Sequence, residues 1–309
     1  DGIAIIPDSR NDENYVVAQL HLLFQLFHNK LVNKYKKENV ENVFEYVKKE
    51  VTFYYQWIIV NDFLPKLIDN SILDSIFKYG TKFFDSKKSN NCIPIEFSVA
   101  AFRYGHFTVR DEYLISNDYK MNQNDIHKFT KGCLPNLIID WNNFFHVTDT
   151  TVPQPSKSID TNISKNLQNM VHINTPKDFP YNKNNLLLRN LLRSQQQCIA
   201  SGQDIAKLMG LNPIPIELLR KYDINKGLED NNLIDNTPLL LYILMESKIY
   251  KNGEQLTGVG GILVAEVILS FLFNDPNSYF NSSEKWFPCL PSKEEGQFLF
   301  GDLIRYIYS

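Results

Sequence analysis

The stretch EFSVAAFRYGH at residues 96–106 carries the most informative side chains of this sequence. If it is helical, Arg103 lies three residues before His106 and Phe102 four residues before it, so the three side chains share one face. Gly105 leaves no side chain beside the imidazole, which lets a flat group approach the backbone. A neutral imidazole can bind a metal ion, and a nearby guanidinium suits a carboxylate. Taken alone, the pattern leaves a histidine that simply packs in a helix as the alternative.

Helical periodicity continues on both sides of this stretch. Apolar residues recur at steps of three and four along much of the chain, and Pro94 with Glu96 suits the first turn of the helix that contains His106. No alternation over five or more residues indicates a strand. The predicted helices cover residues 14–37, 41–61, 94–109, 185–192, 202–209, 237–247 and 258–274. We therefore predict a mainly α-helical fold with long loops and little β structure.

The 309 residues suit one large domain, and we predict a single domain over residues 1–309. Residues 147–180 are polar and rich in turn-forming residues, which predicts a loop-rich excursion. The net charge of −3 gives no electrostatic reason to expect a nucleic acid or an anionic membrane as a partner. The most apolar run, Gly258–Phe273, is interrupted by Glu266 and is too short to span a bilayer comfortably, so it predicts a buried core helix and no transmembrane segment.

The four cysteines are Cys92, Cys133, Cys198 and Cys289, and they include no CxxC pair. Their spacing argues against a zinc or an iron–sulfur site. Free cysteines are among the residues most often buried in protein cores. We therefore expect buried free thiols at these positions.

Further motifs flank the histidine stretch on both sides. Upstream, residues 8–13 read DSRNDE, residues 21–29 read HLLFQLFHN, and the second predicted helix ends near DFLP at residues 62–65. Downstream, residues 190–193 read NLLR and residues 258–266 read GVGGILVAE. Taken alone, the polar residues before the first helix can be explained as helix caps.

In this order, the motifs resemble the core of the animal-type haem peroxidases, the peroxidase–cyclooxygenase superfamily. That family has Asp-x-Arg, a helix with His-x₆-His-Asn, the Phe-Arg-Tyr/Phe-Gly-His turn, a helix whose Asn reaches the proximal histidine, and a Gly-x-Gly-Gly helix that ends in Asp-Pro. The resemblance covers essentially the whole chain and is closest to the bacterial members. It implies a haem-peroxidase-like helical domain with haem b as the cofactor and iron as its metal.

The resemblance implies roles on the proximal side of a haem. His106 matches the proximal iron ligand, and Asn190 matches the asparagine that accepts the Nδ1–H of that ligand. Such a hydrogen bond would fix the ring and raise its basicity. Arg103 matches the arginine beside a haem propionate, and Arg193, in the same motif as Asn190, is a further candidate for cofactor binding.

On the peroxide side, Arg10 matches the distal arginine, which stabilises the charge that develops as the O–O bond breaks. Glu13 matches a position that in some mammalian members forms an ester with a haem methyl, although helix capping explains it equally well. His21 and His28 do not match the distal base of the family. We interpret them as structural residues of a packed helix.

The distal histidine of the family is not found in this sequence. In the family it lies upstream of Asp-x-Arg, in a Gln-x-x-x-Asp-His-Asp-like motif, and the calcium-binding loop also lies upstream. None of the six histidines follows such a motif, so neither a distal base nor calcium ligands are assigned. Because the chain starts abruptly and without Met, we expect an N-terminally incomplete peroxidase, with a diminished relative as the alternative.

The predicted function is that of a haem-dependent peroxidase, which reduces hydrogen peroxide and oxidises a small-molecule donor. Two alternatives stay open. One is a catalytically weak or silent module of the same fold that serves in binding or as a scaffold. The other is the fatty-acid dioxygenase branch, whose radical-forming Tyr is replaced here by Arg103, with Tyr104 at the wrong offset. Many relatives are secreted, whereas this chain shows no export signal, so the compartment stays open.

Overall fold

The computed structural model describes residues 6, 8–116, 119–126, 138–170 and 184–309. Helices dominate the structure, so the prediction of a mainly α-helical fold with little β structure is confirmed. Within these ranges, every helix is too short or too polar to cross a membrane. His127, His172, Cys133 and residues 171–180 of the predicted loop-rich excursion lie outside the described residues.

The helices and strands follow one another in this order. The α-helices are α1 (Tyr15–Lys37), α2 (Val43–Ile58), α3 (Leu64–Leu67), α4 (Asn70–Tyr79), α5 (Gly105–Thr108), α6 (Gln123–Ile126), α7 (Lys165–Gln168), α8 (Leu186–Gln196), α9 (Gly202–Leu208), α10 (Ile216–Tyr222), α11 (Gly227–Asp230), α12 (Leu239–Lys251), α13 (Gly258–Asn274) and α14 (Phe300–Tyr308). Segments of π-helix cover Ile59–Phe63 and Glu96–Ala100, and 3-10 turns cover Ser9–Asn11, Ala101–Tyr104, Trp141–Asn143 and Tyr279–Asn281. The strands are β1 (Glu112–Ser116) and β2 (Tyr119–Asn122).

Within the described residues, the little β structure is one hairpin, in which β1 and β2 pair in antiparallel fashion with Leu114 opposite Lys120. Ile115 and Met121 are the buried residues of the two strands, which have only five and four residues and so give a weak periodic signal. The side chain of Gln154 holds β1, because its Oε1 accepts the N–H of Leu114 at 2.7 Å and its Nε2 donates to the carbonyl of Leu114 at 3.0 Å. This hairpin depends on a contact between residues distant in the chain, which periodicity does not reveal.

The chain groups into two compact units. The first contains residues 1–63, 110–155 and 277–309, and the second contains residues 64–109 and 156–276. Each unit has buried apolar side chains of its own. Each of the two units is compact in itself. The prediction of one domain over residues 1–309 stays a prediction.

In the first unit, α1 buries one face that recurs every four residues. Leu23, Phe27 and Leu31 on this face are at most 1% exposed. Asn14 begins the helix, because its Oδ1 accepts two N–H groups of the first turn. The buried face packs against α2 and α14 and forms a core that is rich in aromatic rings. Burial of such rings is a large favourable contribution to folding.

In the second unit, α12 and α13 pack closely against each other. The bounds of α13 are those that the sequence predicts. Gly260 permits the close approach, because a Cβ atom built there would lie 2.4 Å from Cγ2 of Ile243. Buried Glu246 of α12 accepts the N–H of Gly260 at 3.1 Å, which satisfies one of the free amide groups at the start of α13.

The cysteines do not follow the expectation of buried thiols. Cys92, Cys198 and Cys289 are exposed and form no disulfide. Cys198 follows α8 in a turn, with a positive φ of 51°. Turns lie at the protein surface, so Cys198 is exposed although free cysteines are usually buried.

Candidate functional site

The segment that contains His106 is helical, but it is not one regular helix. It consists of the π-helical segment Glu96–Ala100, the 3-10 turn Ala101–Tyr104 and α5. The change occurs at Ala100, whose φ of −122° and ψ of −70° depart from helical values. The predicted helix is therefore in the right place, whereas its regularity is wrong. Short π-helical segments often accompany functional sites.

His106 and Asn190 meet although they are 84 residues apart in the chain. Nδ2 of Asn190 lies 3.0 Å from Nδ1 of His106. Asn190 is buried on α8, with 7% of its surface exposed, and His106 is partly buried on α5. The structure therefore brings together the two residues that the sequence proposes as a metal ligand and its hydrogen-bond partner.

The orientation of the Asn190 amide determines which imidazole nitrogen carries the proton. As it stands, the amide N–H donates to Nδ1, which places the ring proton of neutral His106 on Nε2. Half a turn of the amide brings Oδ1 to the same place, where it accepts an N–H from Nδ1. Nε2 then keeps a free lone pair, as binding of a metal requires. The same pair of residues can therefore hold either tautomer.

The environment holds His106 in its neutral form. Burial, together with the positive charge of Arg103, lowers the pKa of His106 to about 4. Nε of Arg103 donates to the carbonyl of Ser98 at 2.9 Å. In the part of the chain that the structure describes, no acidic side chain forms a salt bridge with Arg103. The site thus combines a neutral imidazole with the nearby guanidinium of Arg103, which has no carboxylate partner among the described residues.

Gly105 precedes His106 and borders open space. Apart from its neighbours in the chain, a Cβ atom built on Gly105 would meet no atom within 4 Å. On α8, the buried atoms Nη1 of Arg189 and Oγ of Ser194 have no hydrogen-bond partner. Such atoms are rare in native proteins. The sequence analysis missed both residues, although Ser194 is one helical turn after Asn190 and shares its face.

Two predicted residues of the peroxide side, Arg10 and Glu13, lie just before α1 in the first unit. Nη2 of Arg10 lies 2.5 Å from Oδ2 of Asp8, and its Nε donates to Oδ1 at 3.0 Å. Hydrogen bonds from Arg10 lower the pKa of Asp8 to about 2. The residue that caps α1 is Asn14, not Glu13. The proposed roles of Arg10 and Glu13 toward a haem stay predictions.

Three other residues that the sequence analysis singled out lie on helix surfaces. Arg193 is exposed on α8, and its role in cofactor binding stays a prediction. The ring of His28 packs edge-on against Phe44 with a centroid distance of 5.7 Å. Nε2 of His21 lies 3.4 Å from Nε2 of Gln25. These local contacts support the structural interpretation of the two histidines.

The lowered pKa of His106 predicts a loss of stability in acid. An unfolded histidine takes up a proton near pH 6.5, whereas His106 in the folded chain does so only near pH 4. Between these values the unfolded state binds more protons, so the unfolding free energy falls as the pH falls, by up to about 3 kcal/mol. Urea unfolding at several pH values measures this slope. We expect the unfolding free energy of His106→Phe to depend less on pH between pH 4 and 6.5. The same dependence in the variant and the unchanged chain would contradict a lowered pKa of His106.

Comparison with known proteins places these motifs in a family. Residues 3–219 match the protein family described as animal haem peroxidase. No curated protein matches this chain. Among solved structures, peroxidase A from Dictyostelium discoideum matches with a TM-score of 0.64 and 19% sequence identity, over 97% of this chain and 56% of that chain. The chain therefore spans little more than half of that protein, and a likeness at this identity shows the fold alone.

Proposed function

This chain belongs to the animal haem peroxidase family, and from that membership we propose that it binds haem through His106 and uses hydrogen peroxide to oxidise a small-molecule donor. The observation that carries this proposal is the contact between His106 and Asn190 at 3.0 Å. Haem iron in peroxidases is held by a histidine, and a second residue that bonds its other nitrogen orients the ring. The contact between His106 and Asn190 supports such an arrangement in this chain.

The residues around His106 fit a haem. The imidazole is neutral, its Nδ1 is engaged by Asn190, and space is open beside Gly105. Arg103 provides a cation for a propionate, since guanidinium groups bind carboxylates strongly. Among the described residues, no three His, Cys, Asp or Glu side chains form a group that could hold a separate metal ion. Calcium therefore stays an expectation from the family resemblance.

Bound haem would supply the redox chemistry of peroxide reduction. The chain would contribute the position and the basicity of the ligand. In the proposed arrangement Oδ1 of Asn190 accepts the Nδ1–H of His106, which leaves Nε2 free to bind and makes the imidazole a stronger donor. A propionate at Arg103 would neutralise the positive charge beside His106.

Arg10 would act on the peroxide itself in this proposal. Its exposed guanidinium donates hydrogen bonds to the carboxylate of Asp8, and a cation near the peroxide would stabilise negative charge on the oxygen that leaves. No distal histidine is assigned, and a base that removes the peroxide proton is typically worth about 10²–10⁴-fold in rate. We expect Arg10→Leu to slow the peroxide-dependent oxidation of a phenol by the haem-loaded chain.

Substitution of Asn190 tests the proposed ligand arrangement. We expect Asn190→Leu to weaken haem binding about 10- to 100-fold, because the imidazole loses the partner that fixes its tautomer. Asn190→Asp keeps an acceptor for Nδ1–H, so haem should bind and its reduction potential should fall, since a carboxylate makes the imidazole more basic. Titration with haem and potentiometry measure these quantities.

The exposed neighbour Gln196 on α8 provides the matched control, and Gln196→Leu should bind haem like the unchanged chain. Equal affinities and potentials in all three variants would show that Asn190 does not orient a haem ligand. An unchanged chain that binds no haem, or binds it without peroxide-dependent oxidation of a phenol, would overturn the proposed function.

A further inference from the structure

The first unit contains a cluster of four oxidisable aromatic side chains, Tyr54, Trp57, Tyr279 and Trp286. The ring of Trp286 lies at its centre, with centroid distances of 5.0 Å to Tyr54, 5.9 Å to Tyr279 and 6.1 Å to Trp57. Trp57 and Tyr279 also pack together at 5.8 Å. Rings this close exchange electrons readily, because electron transfer depends on orbital overlap and falls steeply with distance.

Trp286 differs from its neighbours because its indole nitrogen hydrogen-bonds a buried carboxylate. Nε1 of Trp286 donates to Oε1 of Glu50 at 3.0 Å, and Glu50 is 6% exposed. Burial raises the pKa of Glu50 above its ordinary value, against the opposing effects of this hydrogen bond and of Lys49 and Lys34. A carboxylate with a raised pKa is a better proton acceptor than an exposed one.

The other rings of the cluster have no such acceptor. Nε1 of Trp57 is buried without a hydrogen-bond partner. The hydroxyl oxygen of Tyr54 accepts the backbone N–H groups of Cys289 and Leu290, each at 3.0 Å. The hydroxyl of Tyr279 interacts with the amide of Asn61. In the described cluster, a ring N–H or O–H therefore meets a carboxylate only at Trp286.

We propose that Trp286 and Glu50 form a one-electron oxidation site, in which Trp286 gives up an electron and passes its indole proton to Glu50. Loss of an electron makes an indole N–H strongly acidic, so its N–H bond breaks and an O–H bond forms on Glu50. The product is a neutral indolyl radical beside a carboxylic acid, and the oxidant is reduced by one electron. The 3.0 Å hydrogen bond already provides the path of the proton.

The radical would be discharged at the surface of the unit. Trp286 is partly exposed, and the next residue, Phe287, is 53% exposed and packs against Trp57 at 6.2 Å. A soluble one-electron donor such as a phenol or ascorbate returns an electron to Trp286, and Glu50 returns the proton to Nε1. The donor leaves oxidised by one electron. In the haem-loaded chain, hydrogen peroxide would supply the oxidising equivalent through the redox chemistry of the bound haem, and this part rests on the proposed function.

Photochemical oxidation of the purified full chain tests the site without reliance on haem. A ruthenium(III) bipyridyl complex generated by a laser flash removes one electron, and transient absorption distinguishes the neutral indolyl radical from the radical cation. We expect a neutral radical in the unchanged chain and in Trp57→Phe. Trp286→Phe should lose this signal, and Glu50→Gln should lower its yield at least about tenfold, because an amide accepts the hydrogen bond but not the proton.

Circular dichroism and urea midpoints show whether each variant is folded, and Glu50→Gln is the decisive variant because it changes the fewest packing contacts. A neutral radical of equal yield in Glu50→Gln, or an undiminished one in Trp286→Phe, would overturn the proposal. In a second experiment, peroxide is added to the haem-loaded chain and radicals are trapped for electron paramagnetic resonance. A site that forms by light but not by peroxide would overturn the role of haem as its oxidant.

Discussion

Replacement of His106 by glycine is expected to abolish specific haem binding, with an affinity at least about 100-fold lower than that of the unchanged chain. Loss of a residue that merely orients a metal ligand typically costs 10- to 100-fold, and loss of the ligand itself should cost more. The contact with Asn190 and the lowered pKa show that His106 is neutral and oriented. Absorbance titration in the Soret region measures the affinity directly.

Free imidazole provides a rescue for this variant. Because glycine leaves space where the side chain was, added imidazole should restore the spectrum of an imidazole-bound haem in His106→Gly. His21→Ala is the matched control. His21 is a partly exposed histidine on α1, and its ring lies beside the side chain of Gln25. A full haem spectrum in His106→Gly without imidazole would show that another residue binds the iron.

Replacement of Glu266 by alanine should destabilise the chain by about 3–5 kcal/mol, because three backbone amide groups would lose the buried carboxylate that accepts their hydrogen bonds. Glu266 lies in the middle of α13 and is 4% exposed. Its Oε1 accepts the N–H of Lys82 at 2.9 Å, and its Oε2 accepts those of Phe83 and Phe84 at 2.6 and 2.9 Å. A hydrogen bond to a charged group typically contributes about 1.5–3 kcal/mol to stability.

Two other variants serve as references for the stability lost in Glu266→Ala. Glu266→Gln keeps one acceptor oxygen, so we expect it to lose less stability than Glu266→Ala. The exposed Glu217 on α10 should tolerate alanine within about 0.5 kcal/mol, as surface positions usually do. Urea unfolding followed by circular dichroism compares the three. An effect of Glu266→Ala no larger than that of Glu217→Ala would show that the carboxylate does not hold the segment 82–84.

Local sequence signals predict the long helices well and fail where distant contacts decide the structure. The predicted bounds of α13 are correct, because the apolar run that forms the helix ends just before Asp275-Pro276. The same apolar run contains Glu266. The sequence of this run does not reveal that the backbone of residues 82–84 donates hydrogen bonds to the Glu266 carboxylate. The predicted helices do not include α4 and α14, although both carry apolar residues at helical spacing.

The candidate site shows the same limit. Helical spacing places Arg103 near His106, but no local rule connects His106 with Asn190, and only the family resemblance suggested that pair. The irregular turn at Ala100 is also invisible to periodicity, because a π-helical segment depends on one extra residue in a turn rather than on composition. Arg189 and Ser194 were missed because an unsatisfied polar atom can be recognised only once its surroundings are known.

The hydrogen bond between Asn190 and His106 also has a consequence for the order in which the protein is made. Asn190 leaves the ribosome long after His106, because 84 residues separate them. Contacts between distant residues form late, since closing a long loop costs chain entropy before the contact stabilises anything. A nascent chain that has produced only the first of the two residues therefore lacks a preorganised imidazole. In the proposed function, uptake of haem should accordingly follow synthesis of α8 and not accompany synthesis of α5.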